Sequence, residues 1–158
     1  MQLTEHFSLA KFIASETAAR KKISNDPPPA IIANLTLLAR ALELPRGHFG
    51  RPLHVSSGYR SPRLNMAVGG SATSAHLEGL AADCNVAGIA TIDLCRWIEA
   101  NVTGFDQCIY EVDQKEGRTW CHFGLRAPGA PVRQQCLTIV KHRDGSVFNF
   151  PGIVEVDG

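Results

Sequence analysis

Between Val55 and Val86 the chain reads VSSGYRSPRLNMAVGGSATSAHLEGLAADCNV. No other stretch sets so many polar groups among such small residues, and its punctuation leaves few folds open. Ser61-Pro62 predicts the start of a helix that carries Leu64 and Met66 and stops at Gly69-Gly70. Proline is tolerated in a first helical turn, and glycine supplies the left-handed exit. A Ser/Thr/Ala loop follows, then Ala81-Ala82-Asp83-Cys84-Asn85-Val86 as a strand. His76 and Asp83 stand seven residues apart. A continuous helix would put them on one face but about 10 Å apart along its axis, too far to share one ion. Gly79 can break the run so that the two side chains converge, and Ala81 and Ala82 allow close packing around them. Spacing alone leaves a plainer reading open, in which both are surface residues.

The flanking chain is helical first and extended later. Ser8 caps a short helix with Leu9, Phe12 and Ile13 on one side. Glu16 to Asp26 is polar without a sustained period, and a loop is expected there. Pro29 opens a helix over Ala30 to Leu44, where Ile31, Leu35, Leu38, Ala39 and Leu42 recur at helical spacing. Pro45 is expected to end it, with a turn over 46–52. Leu53 to Ser57 alternates as a strand. Ile89 to Asn101 predicts a second amphipathic helix, with Ile92, Cys95, Trp97 and Ile98 facing inward. Strands are predicted at Gln107–Val112, Thr119–Leu125 and Cys136–Lys141, the first two as a hairpin. Val147 to Phe150 adds an edge strand after the Asp144-Gly145 turn. The expected class is α+β, with helices packed on one small antiparallel sheet. The length of 158 residues suits one domain, 1–158, with a helical part over 1–50.

Composition removes several function classes. A formal charge of +1, with Arg20-Lys21-Lys22 as the one basic cluster, gives no electrostatic case for nucleic acid. No apolar run approaches the roughly 20 residues that span a bilayer. The start MQLTEHFSLAKF lacks the pattern of a signal peptide. Synthesis in the cytoplasm without membrane insertion is therefore expected. The five cysteines, Cys84, Cys95, Cys108, Cys121 and Cys136, are odd in number and contain no C-x-x-C pair. That argues against a disulfide framework and against a cysteine-type zinc site. Each lies among apolar neighbours and reads as a small buried hydrophobe. Cys121 adjoins His122, but consecutive strand residues point to opposite faces.

Three blocks carry a resemblance. Ser57-Gly58-Tyr59-Arg60-Ser61-Pro62, the run from Ser74 to Asp83, and Trp120-Cys121-His122 follow in order the patterns SGYRS, S-x-H-x-x-G-x-A-x-D and W-x-H. Together they resemble the zinc D-alanyl-D-alanine peptidase family, peptidoglycan-cutting relatives of the hedgehog amino-terminal domain. The resemblance implies a hedgehog-like fold with a catalytic core over 51–158. It implies Zn2+ held by His76, Asp83 and His122, and Arg60 on the scissile carbonyl and its developing oxyanion. Tyr59 and Ser74 join Arg60 as substrate-side candidates, with Ser74 also able to orient His76.

One position departs from the pattern. Many members carry an acid three residues before the last histidine, where this chain has Thr119. Phe105-Asp106-Gln107-Cys108-Ile109-Tyr110-Glu111 resembles the F-D-Q-x-I-x-E strand of a subgroup, and alternation sets Glu111 on one face with Gln107 and Ile109. Glu111 is therefore the expected general base, with Asp113 and Glu116 as alternatives. The expected activity is zinc-dependent hydrolysis of peptidoglycan stem peptides in cell wall lysis or remodelling. It would act as a monomer of endolysin type, delivered to the wall by a holin or another release route. Carboxypeptidase action on D-Ala-D-Ala and endopeptidase action on L-Ala-D-Glu or cross-bridge bonds both stay open. The competing readings are a non-catalytic zinc-containing wall-binding or phage structural protein of the same fold, and a metal-free helical interaction protein.

Overall fold

Alternating apolar residues from Leu53 onward build one sheet of six strands in the computed structural model, which describes residues 1–157. These are β1 (Leu53–Ser57), β2 (Ala81–Val86), β3 (Gln107–Asp113), β4 (Arg118–Gly124), β5 (Gln135–Lys141) and β6 (Val147–Pro151). Their order is β1-β2-β4-β3-β5-β6. The helices are α1 (Leu9–Ile13), α2 (Glu16–Lys21), α3 (Pro29–Phe49), α4 (Pro62–Ala67) and α5 (Thr91–Asn101). The fold is α+β. Gly158, the last residue of the expected domain, lies outside the described residues.

Strand side chains alternate between two faces, and the two faces have different tasks here. Leu35, Leu38 and Leu42 of α3 and Leu94, Cys95 and Ile98 of α5 are fully buried. They form one core with Ala82, Cys84, Cys108, Cys121 and Phe123 of the sheet. The intervening residues Asp83, Glu111 and His122 are left on the other face. Among the described residues, no helix is long and apolar enough to cross a membrane.

The expected antiparallel sheet needs one correction, because β3 and β5 pair in parallel with Gln107 opposite Gln135. After β4 the chain crosses back over residues 125–134 and is fastened at the start of β3. Gln134 and Gln135 donate backbone N–H groups to the carbonyls of Phe105 and Asp106 at 3.2 and 2.9 Å. The Asp106 carboxylate takes three hydrogen bonds from the backbone and guanidinium of Arg133.

Two helical expectations also change. Glu16–Lys21 is a helix rather than loop, capped by Ser15, whose hydroxyl accepts from Ala18 N at 3.2 Å. It buries only Ala18, so it leaves no apolar stripe to read. Helix α3 runs through Pro45 to Phe49 and ends on Gly50 in the left-handed conformation. Proline removes one hydrogen bond, but Pro45 is itself buried, and the last turn is held by packing. The His48 ring stacks on Trp97 at 4.6 Å, and Phe49 meets the same indole at 5.9 Å. Ser8 precedes α1 but makes no side-chain cap; instead Leu9 N donates to the Met1 carbonyl.

Candidate metal centre

Strand register brings the first two polar groups together. Asp83 of β2 lies directly across from His122 of β4, and His122 lies across from Ile109 of β3. His76 arrives from a single 3₁₀ turn, Ala75–Glu78, which Ser74 caps and Gly79 closes at φ +68. A side chain at Gly79 would press on Ile31 Cγ2 at 2.8 Å, so glycine both makes the turn and lets it sit against α3. Asp83 Oδ1 stands 3.0 Å from His122 Nδ1 and 3.4 Å from His76 Nε2. One donor atom from each of the three residues lies within 4.8 Å of the other two. His76 Nδ1 donates to the Gly58 carbonyl at 2.7 Å, which fixes the ring and leaves Nε2 with its lone pair inward.

The electrostatics of this group are dominated by Asp83. Burial alone would raise its carboxyl, yet the hydrogen bond from His122, with the His76 ring close beside it, holds it far below the usual carboxylate range. His122 responds in the opposite sense. Burial would lower its imidazole, and the Asp83 hydrogen bond and charge raise it instead.

Arg60 sits beside the triad. Its guanidinium reaches Asp83 Oδ2 at 3.5 Å and donates through Nε to Ser57 Oγ at 3.1 Å. The backbone that presents it is fastened on every side. Tyr59 N donates to Phe12 O at 2.8 Å, Arg60 N to His76 O at 3.0 Å, and Ser61 N to the Asn25 side chain at 2.8 Å. Asn25 also donates to the carbonyls of Ile13 and Tyr59. It lies in the stretch expected to be loop, and only its burial, with partners up to 36 residues away, reveals its role. Tyr59 is packed into the core at 6% exposure.

Glu111 lies across from Trp120, two residues along β3 from the position opposite His122. The Trp120 indole N–H donates to its carboxylate. Burial, followed by the charge of Asp83, raises the Glu111 carboxyl above its ordinary value. The other acids are placed differently. Asp113 accepts from Glu116 N at 3.0 Å and pairs with Lys141 at 3.7 Å, while Glu116 is exposed in the hairpin turn. Thr119 faces the helices: its hydroxyl meets Thr91 Oγ1 at 2.6 Å.

Two grooves lie near these residues, one reaching Arg60 and the other His122. One, of roughly 560 Å³, is bordered by Ser57, Tyr59, Arg60 and Arg118. The other, of roughly 610 Å³, is bordered by Ser74, Gln107, His122 and Arg126. Asp106 sits under the second groove, holding Arg126 at 3.2 Å and Arg133 at 2.7 Å. The Arg133 hydrogen bonds pull its carboxyl down to about 2. Because the folded value is depressed, this carboxylate stabilises the fold above about pH 4, and the contribution is lost as pH falls towards 2. Asp106→Asn is expected to cost about 1–2 kcal/mol near pH 7, allowing for solvent around Arg133. In urea denaturation the gap from wild type should close as the pH is lowered through that window.

A family model described as Peptidase M15 matches residues 5–116. The match takes in Arg60, His76, Asp83 and Glu111 and ends before His122, which the β2–β4 register joins to them. No curated protein matches the chain.

Proposed function

The chain belongs to the Peptidase M15 family, and from that premise we propose that it is a zinc peptidase hydrolysing peptidoglycan stem peptides in cell wall lysis or remodelling. The observation that carries this reading is the convergence of His76 Nε2, Asp83 Oδ1 and His122 Nδ1 on one point. Two imidazoles and one carboxylate are a donor set suited to zinc in a hydrolytic site, with one coordination position left open. The anchored far nitrogen of His76 is the outer support such a ligand needs. When bound, zinc supplies a Lewis acid that polarises the scissile carbonyl and acidifies water.

The remaining steps fall to the chain's own side chains. Glu111 takes a proton from the attacking water on its carboxylate and returns it to the leaving amine. A carboxyl raised by burial is better matched to that two-way transfer than an ordinary one. The Trp120 N–H holds the carboxylate in place. Arg60 presents a fixed guanidinium to the oxyanion, stabilising charge that the ground state lacks. Ser74 lines the groove beside His122 and is assigned to the substrate backbone. Tyr59 supports the loop that carries Arg60.

Thr119 favours a non-catalytic zinc protein of the same fold, because an acid is missing there. The strand register weighs against that reading: the Thr119 side chain faces α5, whereas Glu111 is on the face of His122. Arg60→Ala is expected to keep one zinc per chain and to lower kcat by about 10²–10³-fold. His122→Ala should lose the metal after dialysis against a mild chelator. The products released from defined stem peptides, read by mass spectrometry, identify the bond. Full zinc retention in His122→Ala would overturn the ligand assignment.

A further inference from the structure

Behind the triad, on the helix-covered face of the sheet, the five cysteines gather in one place. Cys84 and Cys121 are cross-strand partners on β2 and β4, and Cys108 and Cys136 are partners on β3 and β5. Cys95 comes down on them from α5. Cys84, Cys95, Cys108 and Cys121 have no exposed surface, whereas Cys136 is partly exposed. The thiols are free, and Cys108 Sγ and Cys121 Sγ stand 3.9 Å apart. The sulfurs of Cys95, Cys108 and Cys121 all lie within 4.8 Å of one another. Two sulfurs each about 2.3 Å from a common ion stand about 4 Å apart when the angle between them is 120°.

We propose that Cys95, Cys108 and Cys121 form a second metal site, a three-sulfur centre for a soft monovalent cation of the cuprous type. Thiolate donors select soft cations. Structural zinc takes four ligands, and three fully buried thiols leave no place for water as the fourth. No C-x-x-C spacing announces the site, because its ligands come from one helix and two strands brought together only by folding. Binding exchanges the thiol protons for the cation; the protons pass to solvent and no electron changes hands. The charge left on the sulfurs is costly in an apolar interior. Cys84 beside Cys121 and Cys136 beside Cys108 each offer an S–H donor against it. Cys136, nearer the surface, receives the cation first and hands it to Cys108. The two sites meet back to back on β4, with His122 on one face and Cys121 on the other.

The test uses the full chain, reduced, anaerobic and already loaded with zinc, titrated with cuprous ion against a cuprous chelator. One equivalent should resist the chelator, and X-ray absorption at the copper edge should show about three ligands, all sulfur. Cys95→Ala and Cys108→Ala, each checked for folding by circular dichroism, should weaken retention by more than about 100-fold, beyond the cost of losing an outer partner. Cys136→Ala should load several-fold more slowly and then hold the ion with a loss well short of that in Cys95→Ala or Cys108→Ala. Folded wild type that surrenders all its copper would overturn the site, as would nitrogen or oxygen ligands. Undiminished retention in both Cys95→Ala and Cys108→Ala would overturn it too, and so would a loss in Cys136→Ala as large as in those two variants.

Discussion

Glu111→Gln is expected to hold its zinc and to lose peptide hydrolysis by about 10²–10⁴-fold, the range for removing a positioned general base. Glutamine keeps the volume and can still meet the Trp120 indole, so the hairpin should be undisturbed. What would disappear is the atom proposed to accept and return a proton. The pH profile separates this role from a structural one. A base must be ionised to act, and burial together with Asp83 raises the Glu111 carboxyl above the ordinary carboxylate value. Wild-type activity should therefore fall as the pH drops through that raised value. The residual rate of Glu111→Gln should lack this acidic limb. If Glu111→Gln turned over at the wild-type rate, Asp113 or Glu116 would have to serve, although both are engaged or exposed in the hairpin.

Gly58→Ala is the second large effect, and it arises from packing. A Cβ at this position would run into the Phe12 carbonyl oxygen and lie 2.9 Å from Phe12 Cα and 3.0 Å from its carbonyl carbon. These are backbone atoms, so no side-chain rotation relieves the clash, and α1 must move away from β1. The expected cost is about 3 kcal/mol, the upper end for overpacking a tight contact. The displacement also pulls the Gly58 carbonyl from His76 Nδ1 and loosens the Tyr59–Phe12 hydrogen bond. Zinc affinity should then fall along with the denaturation midpoint. Gly47→Ala is the matched control, since a Cβ there meets nothing within 4 Å and α3 gains a better helix former. It should leave zinc affinity unchanged and raise stability slightly.

These effects trace to the features that local sequence makes legible. Pro29 opens α3, Gly79 turns the chain between His76 and Asp83, and alternation puts Glu111 and Ile109 on one face. Each is a local rule acting over a few residues. Where the structure departs from expectation, a distant partner decides. Helix α2 buries a single alanine and so leaves no periodic trace. Helix α3 survives Pro45 because Trp97 packs on its last turn. The start of the parallel β3–β5 pair is fastened by Asp106 holding Arg133, a partner 27 residues away. The same holds within the candidate site. Its three matched blocks could be read in order along the chain. The supports of the Arg60 loop could not, because Asn25 bonds to residues 34 and 36 positions away. The cysteine cluster was invisible for the same reason, its members being joined only by strand register and by α5.

The most direct test of the central claim is mass spectrometry of a defined peptidoglycan stem peptide incubated with the zinc-loaded chain. The predicted result is release of a discrete fragment, abolished when the zinc is stripped and restored when it is returned. A chain that carries one zinc held by His76, Asp83 and His122 and yet leaves every stem peptide intact would contradict it.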